Sequence, residues 1–275
     1  MTVKIITDST AYLSKEYVEK EDITVVPLHY MFDGVEYIEG FKGEFDDYFE
    51  KLQNSKSFPT TSQPSVGEFK EAYLKALENY DEIIVIVLSS KLSGTYNSAV
   101  AAKELLEDKK ITIVDTLSTV AALKFLIEDA VMLKKEGKNA DEIASYLEDK
   151  KTKLKVLALP DTLEYLKRGG RISPLQANLG NLINIKPIIE LKDGELTLLE
   201  KARGKKNALD RVIELVGDEI NRATICQILA YDEALVFKEL LEEKHPDLNI
   251  KIDIEEIGPV IGSHLGPKTI GICWY

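Results

Sequence analysis

The segment EIIVIVLSSKLSGT, residues 82–95, contains an apolar strand and the polar turn that follows it. Its first part is mostly β-branched and continuously hydrophobic, which is typical of a strand covered on both faces in a parallel sheet. An alanine-rich helical pattern follows the turn. Similar apolar runs occur at 3–7, 23–28 and 111–115, and they alternate with amphipathic stretches. This alternation predicts an α/β fold in which helices cover a parallel sheet.

Two helix starts can be recognised from capping boxes. Ser65 is followed by Glu68, and Asn139 by Glu142. In this pattern the first side chain accepts a hydrogen bond from the N3 amide, and the glutamate bonds back to the N-cap amide. We therefore expect helices to begin directly after Ser65 and Asn139.

The pattern changes near Leu154. A helix is expected from Asp161, and the apolar runs at 184–191 and 196–203 are joined by Lys192-Asp-Gly-Glu195. An Asp-Gly pair between apolar runs predicts a β-hairpin, and hence antiparallel pairing.

The sequence therefore predicts two domains. Residues 1–153 are expected to form a Rossmann-like α/β domain with a parallel sheet, and residues 154–275 an α+β domain with antiparallel pairing. Ligands of α/β proteins commonly bind in crevices between domains, so we expect a ligand between the two.

Composition excludes several classes of protein. The chain has 275 residues, of which 44% are hydrophobic and 30% charged, as in an ordinary globular protein. Its net charge of −12 disfavours binding to nucleic acid or to anionic membrane surfaces. The longest strongly apolar run, 83–88, is too short to span a bilayer, and no signal peptide is evident at the start. We expect a soluble cytoplasmic protein that is not an integral membrane protein.

The sequence lacks the common marks of catalysis and metal binding. It contains no P-loop, no G-x-G-x-x-G and no G-x-S-x-G elbow, and its three histidines are far apart without HExxH spacing. The two cysteines, Cys226 and Cys273, fit neither a disulfide framework nor a CxxC metal site. We expect no cofactor, no metal and no catalytic residue, and an enzyme that uses ATP by itself is disfavoured.

The loop Pro59-Thr-Thr-Ser-Gln-Pro-Ser65 places four hydroxyls and two prolines at the start of a capped helix. Hydroxyls and exposed N–H groups at a helix N-terminus favour a small anion such as a carboxylate. Ser65 is explained by its capping role. Thr61 and Ser62 are not needed for the cap, and they are candidate ligand contacts.

A second polar turn follows the strand that ends at Leu88. Ser93 and Gly94 could offer a hydroxyl and an unobstructed N–H to one anion, at the end of a parallel strand where α/β folds bind ligands. The alternative is that both residues only cap the helix that follows.

Two candidates lie in the second half of the chain. Arg171 follows the Gly169-Gly170 pair that ends a helical segment, and it could pair with a buried carboxylate or support the domain junction. His264 lies between glycines in an apolar stretch. A lone histidine in this setting is more often structural, but the flexible backbone around it makes a ligand contact plausible.

A basic cluster, Lys201-Ala-Arg-Gly-Lys-Lys206, stands out in this acidic chain. Most such clusters are solvated surface. The functional interpretation is that Arg203 docks an acidic partner or stabilises negative charge that develops on an acyl phosphate.

Six motifs together resemble the DegV family, and the resemblance runs essentially from end to end. They are TDST (7–10), TTSQPS (60–65), SSKLSGT (89–95), TLEYLKRGGRIS (162–173), KPII (186–189) and GPVIGSHLGP (258–267).

The resemblance implies a bacterial two-domain α/β protein that holds a long-chain fatty acid between its domains. It also implies that the protein serves as the fatty-acid-binding subunit of a fatty acid kinase, in which a separate ATP-binding protein phosphorylates the carboxyl group. The fatty-acid contacts that it implies are Thr61, Ser62, Ser93, Gly94, Arg171 and His264. Arg203 matches a position facing the partner or the phosphate. Ala121 and Ala122 stand where the family commonly has glycines, and they are expected to narrow part of the cavity.

Two alternatives remain. Ser93 and His264 could act as nucleophile and base of an acyl-ester hydrolase or transferase, although nothing in the spacing indicates a third residue that orients the histidine. A structural or regulatory domain would carry no extractable ligand.

Overall fold

The computed structural model describes residues 2–55, 57–107, 110–173, 185–217, 220–246 and 250–275. The chain divides into two compact units, Met1–Lys153 and Leu154–Tyr275. No helix among these described residues is both long and apolar enough to cross a membrane.

The first unit alternates strands and helices. Its strands are β1 (Val3–Asp8), β2 (Ile23–Val26), β3 (His29–Phe32), β4 (Val35–Ile38), β5 (Thr60–Ser62), β6 (Glu82–Val87) and β7 (Ile111–Asp115). Its helices are α1 (Lys15–Lys20), α2 (Asp46–Asn54), α3 (Val66–Leu77), α4 (Thr95–Leu106), α5 (Val120–Lys135) and α6 (Ala140–Lys151), and a short 3₁₀ turn spans Ser9–Ala11.

The main sheet of this unit is parallel, as predicted. Its order is β2-β1-β6-β7, and all three neighbouring pairs run parallel. Its centre is apolar: Ile83, Val85 and Val87 of β6 are completely buried and pack with Phe69 and Tyr73 of α3. The continuous hydrophobicity of 83–88 is explained by this burial on both faces.

Both predicted capping boxes are confirmed. The Ser65 hydroxyl accepts from the Glu68 amide at 3.2 Å, while the Glu68 carboxylate accepts from the Ser65 amide at 2.7 Å. Asn139 and Glu142 form the same reciprocal pair ahead of α6. Each pair satisfies N–H groups that have no partner within the helix.

A small antiparallel sheet, in the order β4-β3-β5, was not predicted. Part of the segment that the sequence indicated as a loop, Thr60–Ser62, is strand β5. The strands have three or four residues each, too few for an alternating pattern to show in the sequence. Tyr30 and Phe32 of β3 make edge-to-face contacts with Tyr48 of α2, which anchors the sheet.

The second unit is a mixed six-stranded sheet with helices. Its strands are β8 (Lys155–Leu159), β9 (Ile185–Lys192), β10 (Glu195–Arg203), β11 (Ala223–Ile228), β12 (Ile252–Glu256) and β13 (Thr269–Trp274). Its helices are α7 (Glu164–Arg168), α8 (Lys205–Val216), α9 (Tyr231–Lys244) and α10 (Pro259–Leu265). The sheet order is β10-β9-β8-β13-β11-β12.

The predicted hairpin and the antiparallel pairing are confirmed. β9 and β10 pair antiparallel, and Asp193 and Gly194 at the turn both have positive φ, 49° and 83°. Positive φ at both central residues is the conformation that favours Asp-Gly in a hairpin turn. The other interstrand pairs in this sheet are also antiparallel, except β11 with β12.

Two details differ from the sequence expectations. The helix expected from Asp161 begins at Glu164. The glycine-containing stretch around His264, expected to have a flexible backbone, forms α10, with Pro259 at its first position. Proline suits that position because its missing N–H would have no helical partner there.

Candidate functional site

The turns at the carboxyl end of the parallel sheet are hydrogen-bonded to one another. The Asp8 carboxylate, at the end of β1, accepts from the Leu88 amide at 2.7 Å. The next amide, that of Ser89, donates to the carbonyl of Ser118 in the turn after β7 at 2.8 Å. The ends of β1, β6 and β7 therefore form a single connected surface, at the edge where parallel sheets bind ligands.

Asp8 holds part of this connection in place. Its carboxylate also accepts from the Thr10 amide at 2.9 Å and from the Thr10 hydroxyl at 2.6 Å, and the side chain is buried. Burial raises the pKa of the Asp8 carboxyl, although its three hydrogen bonds oppose the shift. The TDST motif thus has a structural role in supporting the turns.

The two polar loops suggested by the sequence lie in contact. A Cβ atom added to Gly94 would be 2.6 Å from Cδ of Gln63, so the Gln63 amide packs directly against the glycine. The same amide donates to the Ser98 hydroxyl of α4 at 3.0 Å. Since real Cβ atoms do not come that close, glycine at position 94 allows the 59–65 and 89–95 segments to meet.

Thr61 and Ser62 point to opposite faces of β5. Thr61 lies opposite Tyr30 and is half-buried, whereas Ser62 lies opposite His29 and is exposed. Adjacent residues in a strand project to alternate faces. A ligand that lies on one face of this small sheet can therefore contact one of these two hydroxyls directly, but not both.

Ser93 is placed at the start of α4. Its Oγ lies 2.9 Å from the Thr95 hydroxyl and accepts from the Thr95 amide at 3.3 Å. The bond from the Thr95 amide agrees with the alternative that Ser93 caps the start of α4. When the Thr95 hydroxyl is the donor in the shared bond, Ser93 keeps its own proton available for an external acceptor such as a carboxylate.

In the second unit, the two motifs that carry Arg171 and His264 are packed together. A Cβ on Gly169 would lie 2.9 Å from Cε1 of the His264 ring and closer still to Nδ1. On the other side of the contact, a Cβ on Gly266 would lie 2.7 Å from Cε2 of Tyr165. Each motif therefore contains one glycine whose missing side chain leaves room for an aromatic or imidazole ring of the other motif.

Arg171 and His264 are neighbours in this arrangement. Arg171 is half-buried and donates from Nη1 to the Gly169 carbonyl at 2.6 Å, and burial lowers the pKa of its guanidinium. Burial, together with the charge of Arg171, lowers the pKa of His264 to about 4. At neutral pH the site therefore presents one cation and one neutral imidazole, which suits a single anionic group.

The same environment argues against a general base at His264. A base that works near pH 7 needs a pKa close to 7. The charged neighbour of His264 is a cation, whereas the carboxylate of a catalytic triad would raise the basicity of its imidazole. The hydrolase alternative, with Ser93 as nucleophile, therefore loses support.

Arg203 is exposed at the end of β10. Its carbonyl accepts from the Asn207 side chain at 2.8 Å, at the start of α8. Within the same basic cluster, Lys205 is ion-paired with Glu233. Part of the positive charge of the cluster is thus neutralised within the chain, while the Arg203 side chain lies on the surface.

A cavity of about 310 Å³ in the first unit is lined in part by Asp8, Ser9 and Glu39. Both carboxyl groups are buried, and the Ser9 hydroxyl donates to Glu39 at 2.5 Å. Buried acidic groups disfavour a ligand carboxylate, so this cavity does not suit a fatty-acid head group. Among the described residues, no group of three or more His, Cys, Asp and Glu is arranged to hold a metal ion.

Sequence reasoning missed Ser118 and Thr119, which lie between β7 and α5. Both are buried, and their hydroxyls have no hydrogen-bond partner among the residues that the structure describes. The available signal was a Ser-Thr pair between a parallel strand and an apolar helix, the same position that Ser93 and Gly94 occupy one strand away.

Comparison with known proteins agrees with this fold. The chain is similar over its whole length to the solved structure of DegV, a fatty acid binding protein from Bacillus subtilis, with 34% identity and a TM-score of 0.89, covering 100% of this chain and 99% of that one. A fatty-acid-binding DegV family protein from Thermus thermophilus has 32% identity and a TM-score of 0.90, with coverage of 100% and 99%. A stearic-acid-binding protein from Eubacterium ventriosum has 29% identity and a TM-score of 0.88, with coverage of 100% and 98%.

A family model described as an uncharacterised protein of the DegV family matches residues 2–275. That match spans both units and includes all six motifs described above. The chain therefore belongs to the DegV family.

Proposed function

We propose that this protein binds a long-chain fatty acid and presents its carboxyl group to a separate ATP-dependent fatty acid kinase. The observation that carries the proposal is the contact between Gln63 and Gly94, because it joins two loops that each suit a small anion. The fatty-acid-binding relatives with the same fold support the choice of ligand.

The head group is assigned to hydroxyls and backbone amides in the first unit. Ser93 and Gly94, with either Thr61 or Ser62, supply these donors. Arg171 and His264 are proposed as further contacts of the fatty acid, since a partly buried guanidinium beside a neutral imidazole stabilises an anion.

The aliphatic tail supplies most of the binding free energy. Each buried methylene contributes about 0.8 kcal/mol, so a chain of ~15 methylenes contributes roughly 12 kcal/mol before the costs of association and ordering. The polar groups then need only to orient the carboxyl group, and hydroxyls and amides are sufficient for that.

The protein itself is proposed to be non-catalytic. In the partner kinase, a carboxylate oxygen of the bound fatty acid attacks the γ-phosphorus of ATP, the bond to the bridging oxygen breaks, and ADP leaves. Arg203 is assigned to the partner-facing surface. Replacing it with alanine should lower acyl phosphate formation with a cognate kinase and leave fatty acid content unchanged.

Organic extraction and mass spectrometry of the purified protein test the ligand. We expect about one long-chain fatty acid per chain. Recovery of only scattered, substoichiometric lipid would contradict the proposal.

Titration of delipidated protein with palmitate tests the site. Ser93→Ala should weaken binding about tenfold or more, the effect of one lost hydrogen bond to a charged group. Ser90→Ala is the matched control, because Ser90 lies in the same turn and undergoes the same chemical change. Equal affinity in both variants would remove Ser93 from the site.

A further inference from the structure

Two lysines face one tyrosine ring at the amino edge of the parallel sheet, opposite the edge that carries the polar turns. Lys4 lies in β1 and is buried, and Lys134 lies in the last turn of α5 and is half-buried. Their Nζ atoms are 5.1 Å and 5.8 Å from the centre of the Tyr80 ring. An aromatic face attracts a cation, but two cations held near one ring also repel each other.

The Asp22 carboxylate, directly before β2, is bonded to other groups in this cluster. One of its oxygens accepts from the Lys4 ammonium and the other from the Tyr80 hydroxyl. Lys4 also donates to the Asp22 carbonyl at 2.9 Å. These bonds make Lys4 the lysine that pairs with Asp22, so Lys134 interacts with that carboxylate only at longer range.

The second carboxylate of the cluster is paired as well. Glu21 accepts from Lys135, the next residue of α5, at 2.6 Å, and the Glu21 side chain is only 7% exposed. Three lysines therefore share two carboxylates. Lys134 is the lysine that forms no ion pair with a carboxylate among the described residues.

The ammonium form of Lys134 is consequently disfavoured. Half-burial removes part of its hydration, and Lys4 and Lys135 repel it, while the more distant charges of Asp22 and Glu21 compensate only in part. Together these effects lower the pKa of Lys134 below its ordinary value. More of this amine is therefore unprotonated near neutral pH than at an ordinary surface lysine, and the unprotonated amine is the nucleophilic form.

We propose that Lys134 is a modification site, at which the ε-amine takes an acyl group from an acyl phosphate. The amine nitrogen attacks the carbonyl carbon, a C–N bond forms, the bond from that carbon to the phosphate oxygen breaks, and inorganic phosphate leaves. The nitrogen then releases one proton to water. The product is a neutral amide, so the step removes the surplus positive charge of the cluster. The inference goes beyond the proposed function, since it needs no bound fatty acid.

Reaction of the purified protein with acetyl phosphate tests the inference. Lys135 is the matched control, because it is the next residue in the same helix, is more exposed and is held in an ion pair. Cleavage after Glu128 and Glu136 releases a peptide that contains both lysines, and its fragmentation spectrum assigns the acetyl group. We expect Lys134 to be acetylated faster than Lys135 at neutral pH, and its rate to reach half of its maximum at a lower pH.

Two sets of variants test the cause. Lys4→Met removes a neighbouring cation and releases the Asp22 carboxylate, so the half-maximal rate at Lys134 should move to higher pH, while that at Lys135 should change less. Lys134→Gln mimics the acetylated state and should keep the melting temperature of the parent. Lys135→Gln makes the same change one residue away, but it breaks the ion pair with the buried Glu21 and should lower the melting temperature.

Several results would overturn the inference. Acetylation of Lys134 no faster than that of Lys135 at neutral pH would show that Lys134 is an ordinary lysine, and so would the same pH dependence at both residues. An unchanged profile at Lys134 in folded Lys4→Met would exclude the neighbouring cation as the cause. If Lys4→Met does not fold, the parent and the two glutamine variants decide, and a lower melting temperature for Lys134→Gln than for Lys135→Gln would refute the surplus charge.

Discussion

Replacing His264 with glutamine should make the protein less sensitive to acid. In the folded protein, burial and the charge of Arg171 lower the pKa of this imidazole to about 4, against an ordinary value of 6.5. Between these two values the unfolded chain binds a proton that the folded protein does not. Stability contributed by the neutral imidazole is therefore complete at neutral pH and is lost as pH falls below about 6.5.

The size of the effect follows from the two pKa values. Lowering the pH from 7 to 4.5 should cost about 2 to 2.5 kcal/mol of unfolding free energy through this one group. His264→Gln removes the titration, so the variant should lose correspondingly less stability than the parent over the same interval. Other acidic groups titrate in both proteins, and the difference between parent and variant isolates His264.

Urea denaturation of delipidated protein at the two pH values measures this difference. NMR titration of the three histidine rings measures the imidazole pKa directly. A His264 pKa near 6.5, or equal losses of stability in the parent and in His264→Gln, would refute the argument from burial.

Further predictions concern the neighbours of this ring and the support of the polar turns. Arg171→Met should raise the pKa of His264 in the NMR titration, because it removes a nearby positive charge; an unchanged value would exclude that charge as a cause. Gly169→Ala should lower the free energy of unfolding by about 1 to 3 kcal/mol in urea denaturation, because the added methyl group overlaps the His264 ring and displaces it. An unchanged NMR signal of the His264 ring would contradict this packing. Asp8→Asn should destabilise the first unit by roughly 1 to 3 kcal/mol in urea denaturation, because it places amide hydrogens where the Leu88 amide and other donors need an acceptor. Stability equal to that of the parent would show that the Asp8 carboxylate does not support the turns.

Much of the fold could be predicted from local patterns in the sequence. The capping boxes at Ser65 and Asn139 and the hairpin turn at Asp193 depend on residues a few positions apart, so their structures could be predicted directly. The continuous apolar run of β6 likewise reflects burial on both faces.

Features of the site that depend on distant residues could not be predicted in this way. Strand β5 exists because it pairs with β3, some thirty residues earlier in the chain, and only that pairing shows that Thr61 and Ser62 face opposite ways. The sequence around Gly169 indicates only the end of a helix, and its close contact with His264 depends on tertiary packing. The sequence placed Ser118 and Thr119 between a strand and a helix, but it could not show that their hydroxyls lack hydrogen-bond partners among the described residues, because hydrogen-bond satisfaction depends on the whole fold.

The bonds that join the ends of β1, β6 and β7 also bear on the entropy of binding. The Leu88 and Ser89 amides are fixed by acceptors from two other segments, so the polar turn after β6 is ordered before any ligand arrives. A preorganised receptor loses little backbone freedom on association, and more of the interaction energy is retained as affinity. Hydrogen exchange at these two amides should consequently be slow in the delipidated protein and change little when the ligand is added.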